Sequence, residues 1–189
     1  IGVLRYLSNQ IVAVIDSKNN GKNTNEFNSI ERSVPIVSTL DAAVLNGAEV
    51  LILGIAPSGG KIPEAWFKVI ESAISKNLSI INGLHDTLLS KYKNSLRNNQ
   101  WIWDVRVPQF IPEIASGKAA KLKNKRILCV GTDMAVGKMT TSLEMHKWAI
   151  EKKINSSFIA TGQIGITISG EGIPLDAYKV DHACGAVEQ

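Results

Sequence analysis

Arg126-Ile-Leu-Cys-Val-Gly-Thr-Asp-Met-Ala-Val-Gly-Lys-Met-Thr-Thr141 decides the fold. The apolar run Ile127 to Val130 reads as a buried strand, with Cys129 a buried thiol within it. Gly131 to Gly137 reads as a tight loop, and Thr140 to Lys153 as a helix. Strand, loop and helix in that order are the setting a phosphate-binding loop needs. Glycines let the backbone fold so that several N–H groups point into one hollow. The helix N-terminus adds the positive end of its dipole, and Lys138 adds a full charge. A polyphosphate suits such a hollow. The competing reading is a glycine-containing turn with an incidental lysine.

The fit to the usual pattern G-x-x-x-x-G-K-[ST] is partial. Gly137 and Lys138 match. Thr132 fills the first glycine slot, with Gly131 one place early. Met139 stands where a hydroxyl would ligate Mg²⁺, and Thr140 and Thr141 lie just beyond. Phosphate binding is therefore expected, and Mg²⁺-dependent ATP hydrolysis does not follow from it. The metal stays unassigned.

Working outward, the second half continues with an expected strand, Ser156 to Ala160, ending at Thr161-Gly-Gln163. Thr161 and Gln163 are expected at the same sheet edge as the phosphate loop. The residues assigned to the cofactor phosphates are thus Gly131, Thr132, Asp133, Val136, Gly137, Lys138, Met139, Thr140, Thr161 and Gln163. Leu143, Trp148, Ala149 and Ile150 are expected on or near the buried side of the helix. Gly165 to Gly172 reads as a glycine-studded loop, its backbone available for ligand contact or for close packing. Asp176, Asp181 and Glu188 are acids able to hold a metal or serve as a base, against the plainer reading of surface or capping acids.

Upstream, strands and helices alternate. Expected strands are Ile11 to Ile15, Pro35 to Thr39, Glu49 to Ile55, Leu78 to Ile81, and the alternating stretch from Trp101 to Val107. Expected helices are Ile1 to Leu7, Leu40 to Leu45 capped by Thr39 and stopped by Asn46-Gly47, Ile62 to Lys76, and Thr87 to Leu96. In the third of these, Ile62, Trp66, Val69, Ile70, Ala73 and Ile74 should face inward. The pattern is that of a doubly wound α/β domain. Ligands gather at the carboxyl ends of such strands. There stand Asp16, Ser17, Ser58, Gly59, Gly60, Lys61, Gly83, His85 and Asp86. Asp16 is read either as a ribose-binding acid or as a loop cap.

The chain has 189 residues, 44% apolar and 20% charged, with a formal net charge of +4. That describes an ordinary globular protein of one large or two small domains. The basic cluster Lys118, Lys121, Lys123, Lys125 and Arg126 reads as a solvated linker, and nucleic acid is not an expected partner. Cys129 and Cys184 have no metal-ligand spacing. No apolar run is long enough to span a bilayer, so a cytoplasmic protein is expected, with a small-molecule substrate and a possible homo-oligomeric state. The chain begins at Ile1 and stops at Gln189, which reads as a piece of a longer protein. Domain limits are placed at 1–111, a linker over 112–125, and 126–189.

Gly131-Thr-Asp-x-x-Val-Gly-Lys-Met-Thr-Thr141, Ala160-Thr-Gly-Gln163, Gly165-Ile166, Gly172-Ile-Pro-Leu-Asp-Ala177 and Asp181-x-x-x-Gly-Ala-Val-Glu188 resemble the DgcN-like family. So do Ala13-Val-Ile-Asp-Ser17, Gly59-Gly60, Gly83-Leu-His-Asp86 and Asp104-Val-Arg106. Ile164 and His182 depart from the family's habit of Thr and an aromatic there. The resemblance implies an α/β protein: an N-terminal Rossmann-like parallel-sheet domain, then a P-loop NTPase-like α/β domain, both incomplete in this chain. It also implies D-glutamate N-acetyltransferase activity with acetyl-CoA as co-substrate. An acetyl transfer to an amine needs a general base, for which His85 and Asp181 are the candidates, and cations for the substrate carboxylates, for which Lys61 and Arg106 are. The phosphate loop is also similar to that of dethiobiotin synthetase, which implies an ATP-dependent ligase or kinase as the second reading. A non-catalytic nucleotide sensor is the third.

Overall fold

The computed structural model describes every residue except Asn28, Ala56 and Met134. Met134 falls inside the phosphate loop read from sequence and so lies outside the described residues. The chain divides into two compact units, Ile1 with Val3–Val107, and Gly2 with Pro108–Gln189.

A short helix, α1 (Gly2–Tyr6), opens the chain. In the first unit β1 (Val14–Ile15) pairs in parallel with β2 (Ile36–Val37). A second sheet holds β3 (Val50–Ile52), β4 (Ser79–Asn82) and β5 (Ile102–Asp104), in that order and all parallel. Helix α2 (Leu40–Leu45) follows β2, α3 (Glu64–Ser75) joins β3 to β4, and α4 (Leu89–Tyr92) lies between β4 and β5. The α/β class with parallel sheets agrees with the sequence reading. β1, β2, β3 and β5 are each shorter than the run that announced them, and β4 is as long as its run but shifted by one residue.

Local chemistry explains the helix limits. The Thr39 hydroxyl accepts the Ala42 N–H and caps α2. At its end Gly47 takes a left-handed conformation, and Ala48 N–H reaches back to the Ala43 carbonyl. Helix α3 ends in the same way, with Asn77 left-handed and Leu78 N–H on the Ala73 carbonyl. The inner face of α3 delivers Ile70, Ala73 and Ile74 to a core completed by Leu78, Ile80, Leu88 and Ile102. Burying each large aliphatic side chain there contributes about 1.5–3 kcal/mol. Val69, expected inside, is exposed, while Trp66 is half-buried against the core. The expected helix over 87–96 is the short α4 continued by a 3₁₀ turn, Lys93–Ser95.

The second unit contains α5 (Lys138–Glu151), α6 (Gln163–Ser169) and α7 (Val180–Glu188). Several expectations are corrected here. Ile127 to Val130 is not a strand: Ile127, Leu128 and Val130 are 73%, 81% and 79% exposed, and Cys129 is half-buried. A strand needs a ladder partner, and the described residues offer none to this run. Ser156 to Ala160 is likewise reduced to one parallel bridge, Ala160 with Gly172. Helix α5 starts at Lys138, two residues before the expected Thr140, because left-handed Gly137 supplies its cap. Trp148 and Ile150 point outward, leaving Leu143 and Ala149 as the buried positions of α5.

The expected loop from Gly165 begins as the body of α6. Gly165 is not there for a turn; a methyl group at that position would lie 2.8 Å from Ala160 Cβ and meet the Phe158 ring. Only Gly170 and Gly172 use positive φ.

Helix α7 lies directly on residues 113–119. Glu188 accepts N–H groups of Ser116 and Ala119 and the Ser116 hydroxyl. These bonds hold its carboxyl below the usual glutamate value. Glu113 N–H donates to Gln189 Oε1. Glu188 is therefore a cap for the 3₁₀ turn Lys118–Lys121. No helix of the described residues is long and apolar enough to cross a membrane.

Candidate functional site

Two groups of residues carry chemistry, one in each unit. The group in the second unit is the phosphate loop. Gly137 (φ 97°) turns the chain into α5, a helix of 14 residues with no acid in its first turn. Its first N–H groups lack helical partners and carry the positive end of the dipole. The loop folds tightly: a side chain at Gly131 would lie 2.8 Å from Val136 Cγ2 and 3.1 Å from Lys138 Cγ. Glycine at 131 lets the Lys138 stem pass. The ammonium of Lys138 donates to the Asp133 carbonyl oxygen, so it is held across the loop. Gly131, Asp133, Val136, Gly137 and Lys138 are thus brought together. Met139 and Thr140 lie in the first turn of α5, both half-buried, and Thr132 is exposed beside Gly131.

A fit test for a diphosphate is met by donors of the right kind: backbone N–H groups, one ammonium and a helix start. The Ser142 hydroxyl gives its one proton to the Lys138 carbonyl, which leaves it no donor for a phosphate oxygen. Thr161 and Gln163 stand at the turn into α6, with Gly162 as its N-cap. Thr161 is exposed, and its carbonyl accepts the Leu175 N–H.

The group in the first unit stands at the carboxyl ends of β3, β4 and β5. Gly59 and Gly60 form a turn with φ of 80° and 66°. The ring of His85 rests against Gly60, so closely that a methyl group there would overlap Cδ2 and lie 2.8 Å from Nε2. His85 N–H donates to the Gly60 carbonyl at 2.9 Å. Asp86 accepts the Ile62 N–H at 2.6 Å. Arg106, two residues past the end of β5, donates from Nε to the Gly83 carbonyl at 2.7 Å. Burial lowers its guanidinium below the usual arginine value. Lys61 is exposed and follows Gly60 directly. Lys61, His85 and Arg106 therefore belong to one cluster of loops.

Asp181 belongs to the second unit. It sits exposed in the first turn of α7, where a carboxylate complements the helix dipole. Asp16 accepts the Asn19 side-chain amide and the Lys18 N–H, which lower its carboxyl below the usual aspartate value. It closes the turn after β1. The sequence reading missed Asn82 and Asp104, which are buried and polar beneath the His85 loop. Their signal was present in part: each polar residue directly follows an apolar pair, Ile80-Ile81 and Ile102-Trp103.

The chain resembles known proteins along most of its length. Residues 17–108 match the Rossmann-like N-terminal domain of the domain of unknown function DUF1611, and residues 113–189 match its C-terminal P-loop domain. A protein named D-glutamate N-acetyltransferase from Pseudoalteromonas is 42% identical over 154 residues, 80% of this chain and 46% of that protein. Another of the same name from Tritonibacter scottomollicae is 40% identical over 153 residues, 79% of this chain and 45% of that protein. The crystal structure of a DUF1611 family protein from Anabaena variabilis superposes with a TM-score of 0.93 at 45% identity. It is covered over 55% of its length by the whole of this chain. The chain thus spans about half the length of the curated relatives it matches. With a Rossmann-like half and a P-loop half each matched in order, the chain belongs to the DUF1611 family.

Proposed function

We propose that this protein is an N-acetyltransferase that moves an acetyl group from acetyl-CoA to the amine of an acidic D-amino acid, D-glutamate first among them. The observation that carries the reading is the phosphate loop. It has the backbone, helix start and lysine for a diphosphate, yet Met139 takes the place of the hydroxyl that would hold Mg²⁺. A CoA diphosphate needs no such hydroxyl. The names of the two curated relatives support the same chemistry.

In this reading Lys138 and the first N–H groups of α5 bind the CoA phosphates. Arg106 and Lys61 receive the carboxylates of the acceptor, Arg106 through its planar fork. The attacking amine must be neutral, so a base removes its proton as nitrogen bonds to the thioester carbon and the CoA thiolate leaves. His85 takes that role. Its ring is exposed and in the same loop cluster as Arg106, whereas the Asp181 carboxylate complements the start of α7.

The test is a thiol-release assay with acetyl-CoA and D-glutamate. Arg106→Ala is expected to raise KM for the acid by roughly 10- to 100-fold, the worth of one charge-assisted carboxylate pair, with a smaller effect on KM for acetyl-CoA. No thiol release by the purified protein with any acidic amino acid would refute the reading. An ATP-dependent product with the same acids would move it to a ligase.

A further inference from the structure

We infer that Asn82 and Asp104, with Asp86, are positioning residues that fix His85 against the Gly59-Gly60 turn. The register of β4 and β5 sets Asn82 opposite Asp104. Asn82 is 0% and Asp104 7% exposed. Asn82 Nδ2 donates to Asp104 Oδ1 at 2.8 Å and to the Asp86 carbonyl at 2.6 Å. Its own Oδ1 accepts the Leu84 N–H at 3.0 Å. The Asp104 carboxylate accepts Leu88 N–H on Oδ1 and Leu89 N–H on Oδ2, at 3.0 and 2.9 Å. The Asp86 carboxylate reaches the other way, to Ile62 N–H.

Two buried side chains thus hold the backbone of the loop from both flanks of His85, while Asp86 ties that loop to the segment between Gly60 and α3. His85 N–H on the Gly60 carbonyl closes the frame. Burying a carboxylate is costly unless its acceptors are filled. Here they are filled by loop N–H groups, and the helix that Asp104 starts, α4, runs only from Leu89 to Tyr92. Capping so short a helix gives little return for a buried charge. Fixing the loop that carries an exposed imidazole against a left-handed glycine is what the whole network accomplishes. The value of that placement rests on His85 acting on the substrate; the geometry does not.

Nuclear magnetic resonance on the 189-residue chain separates the two. The wild type is expected to give a nuclear Overhauser contact between His85 Hδ2 and Gly60 Hα, assigned with His85→Gln. Asp104→Asn puts an N–H donor where Leu89 N–H needs an acceptor, and Asn82→Ala removes both donors. Each is expected to lose the contact while the His146 and His182 ring signals stay in place. Asp86→Ala is expected to lose it too, and Asp86→Asn to retain it, because an amide oxygen still accepts the Ile62 N–H. Should Asp104→Asn or Asn82→Ala fail to fold, the half-buried Asp86 pair decides. Folded variants that keep the contact, with only a lowered melting temperature, would overturn the inference. If the contact behaves as expected but His85→Gln keeps wild-type kcat in the thiol assay, the base assignment fails and the positioning stands.

Discussion

Lys138→Ala is expected to weaken acetyl-CoA binding by roughly 10- to 100-fold, the usual worth of a hydrogen bond to a charged group. The ammonium is held across the loop by the Asp133 carbonyl, above the start of α5. A phosphate placed at that helix start meets it without a large rearrangement. The backbone donors survive the substitution, so binding is reduced and not abolished. Lys138→Arg keeps the charge and is expected to recover part of the affinity. The unliganded melting temperature should change little, because the side chain is not part of the core. Isothermal titration with acetyl-CoA measures the effect. An unchanged dissociation constant would show that the loop does not hold the phosphates.

Gly185→Ala is expected to cost about 3 kcal/mol, at the upper end for overpacking. A methyl group at 185 would overlap the Glu113 carbonyl oxygen, 2.8 Å from its carbon and 3.0 Å from Ala115 nitrogen. Both neighbours are backbone, so neither can rotate away. Either α7 lifts off residues 113–119, breaking the Glu188 cap on Ser116 and Ala119, or the whole second unit loses stability. The melting temperature should fall by on the order of 10 °C. Trypsin reports the alternative directly, since Lys118, Lys121, Lys123, Lys125 and Arg126 lie in or beside the released segment. Gly54→Ala serves as control. Among the described residues its added methyl would meet only the Ile52 carbonyl oxygen at 4.0 Å, and it should melt as the wild type does. Equal melting and cleavage for Gly185→Ala would contradict the docking of α7.

What the sequence made legible depended on how local the determining physics is. The limits of α2 follow from Thr39 and from Asn46-Gly47, within a few residues of each other, and the structure places them where those residues say. The turn into α5 is local too, and the glycine before Lys138 gives it away. Burial is different. The run Ile127 to Val130 has the composition of a core strand, but a strand is buried by its neighbours, and among the described residues it has none. Gly165 was read as part of a loop, open to ligand contact or to close packing, and the structure keeps the close packing and replaces the loop by α6. A glycine kept for positive φ and one kept for close packing look alike in sequence, and only the Ala160 and Phe158 contacts distinguish them.

The candidate sites divide along the same line. The phosphate loop is contiguous, so its residues could be named before any fold was known. Lys61, His85 and Arg106 come from separate segments and were named from strand ends and family resemblance. Asn82 and Asp104 lie 22 positions apart and meet only because β4 and β5 pair in one particular register.

A thermal-shift comparison of acetyl-CoA, CoA, and ATP with and without Mg²⁺ tests the central claim most directly. The account predicts stabilisation by acetyl-CoA and CoA that is independent of Mg²⁺ and smaller in Lys138→Ala at the same ligand concentration. Stabilisation by ATP only in the presence of Mg²⁺, with none from either CoA species, would contradict it.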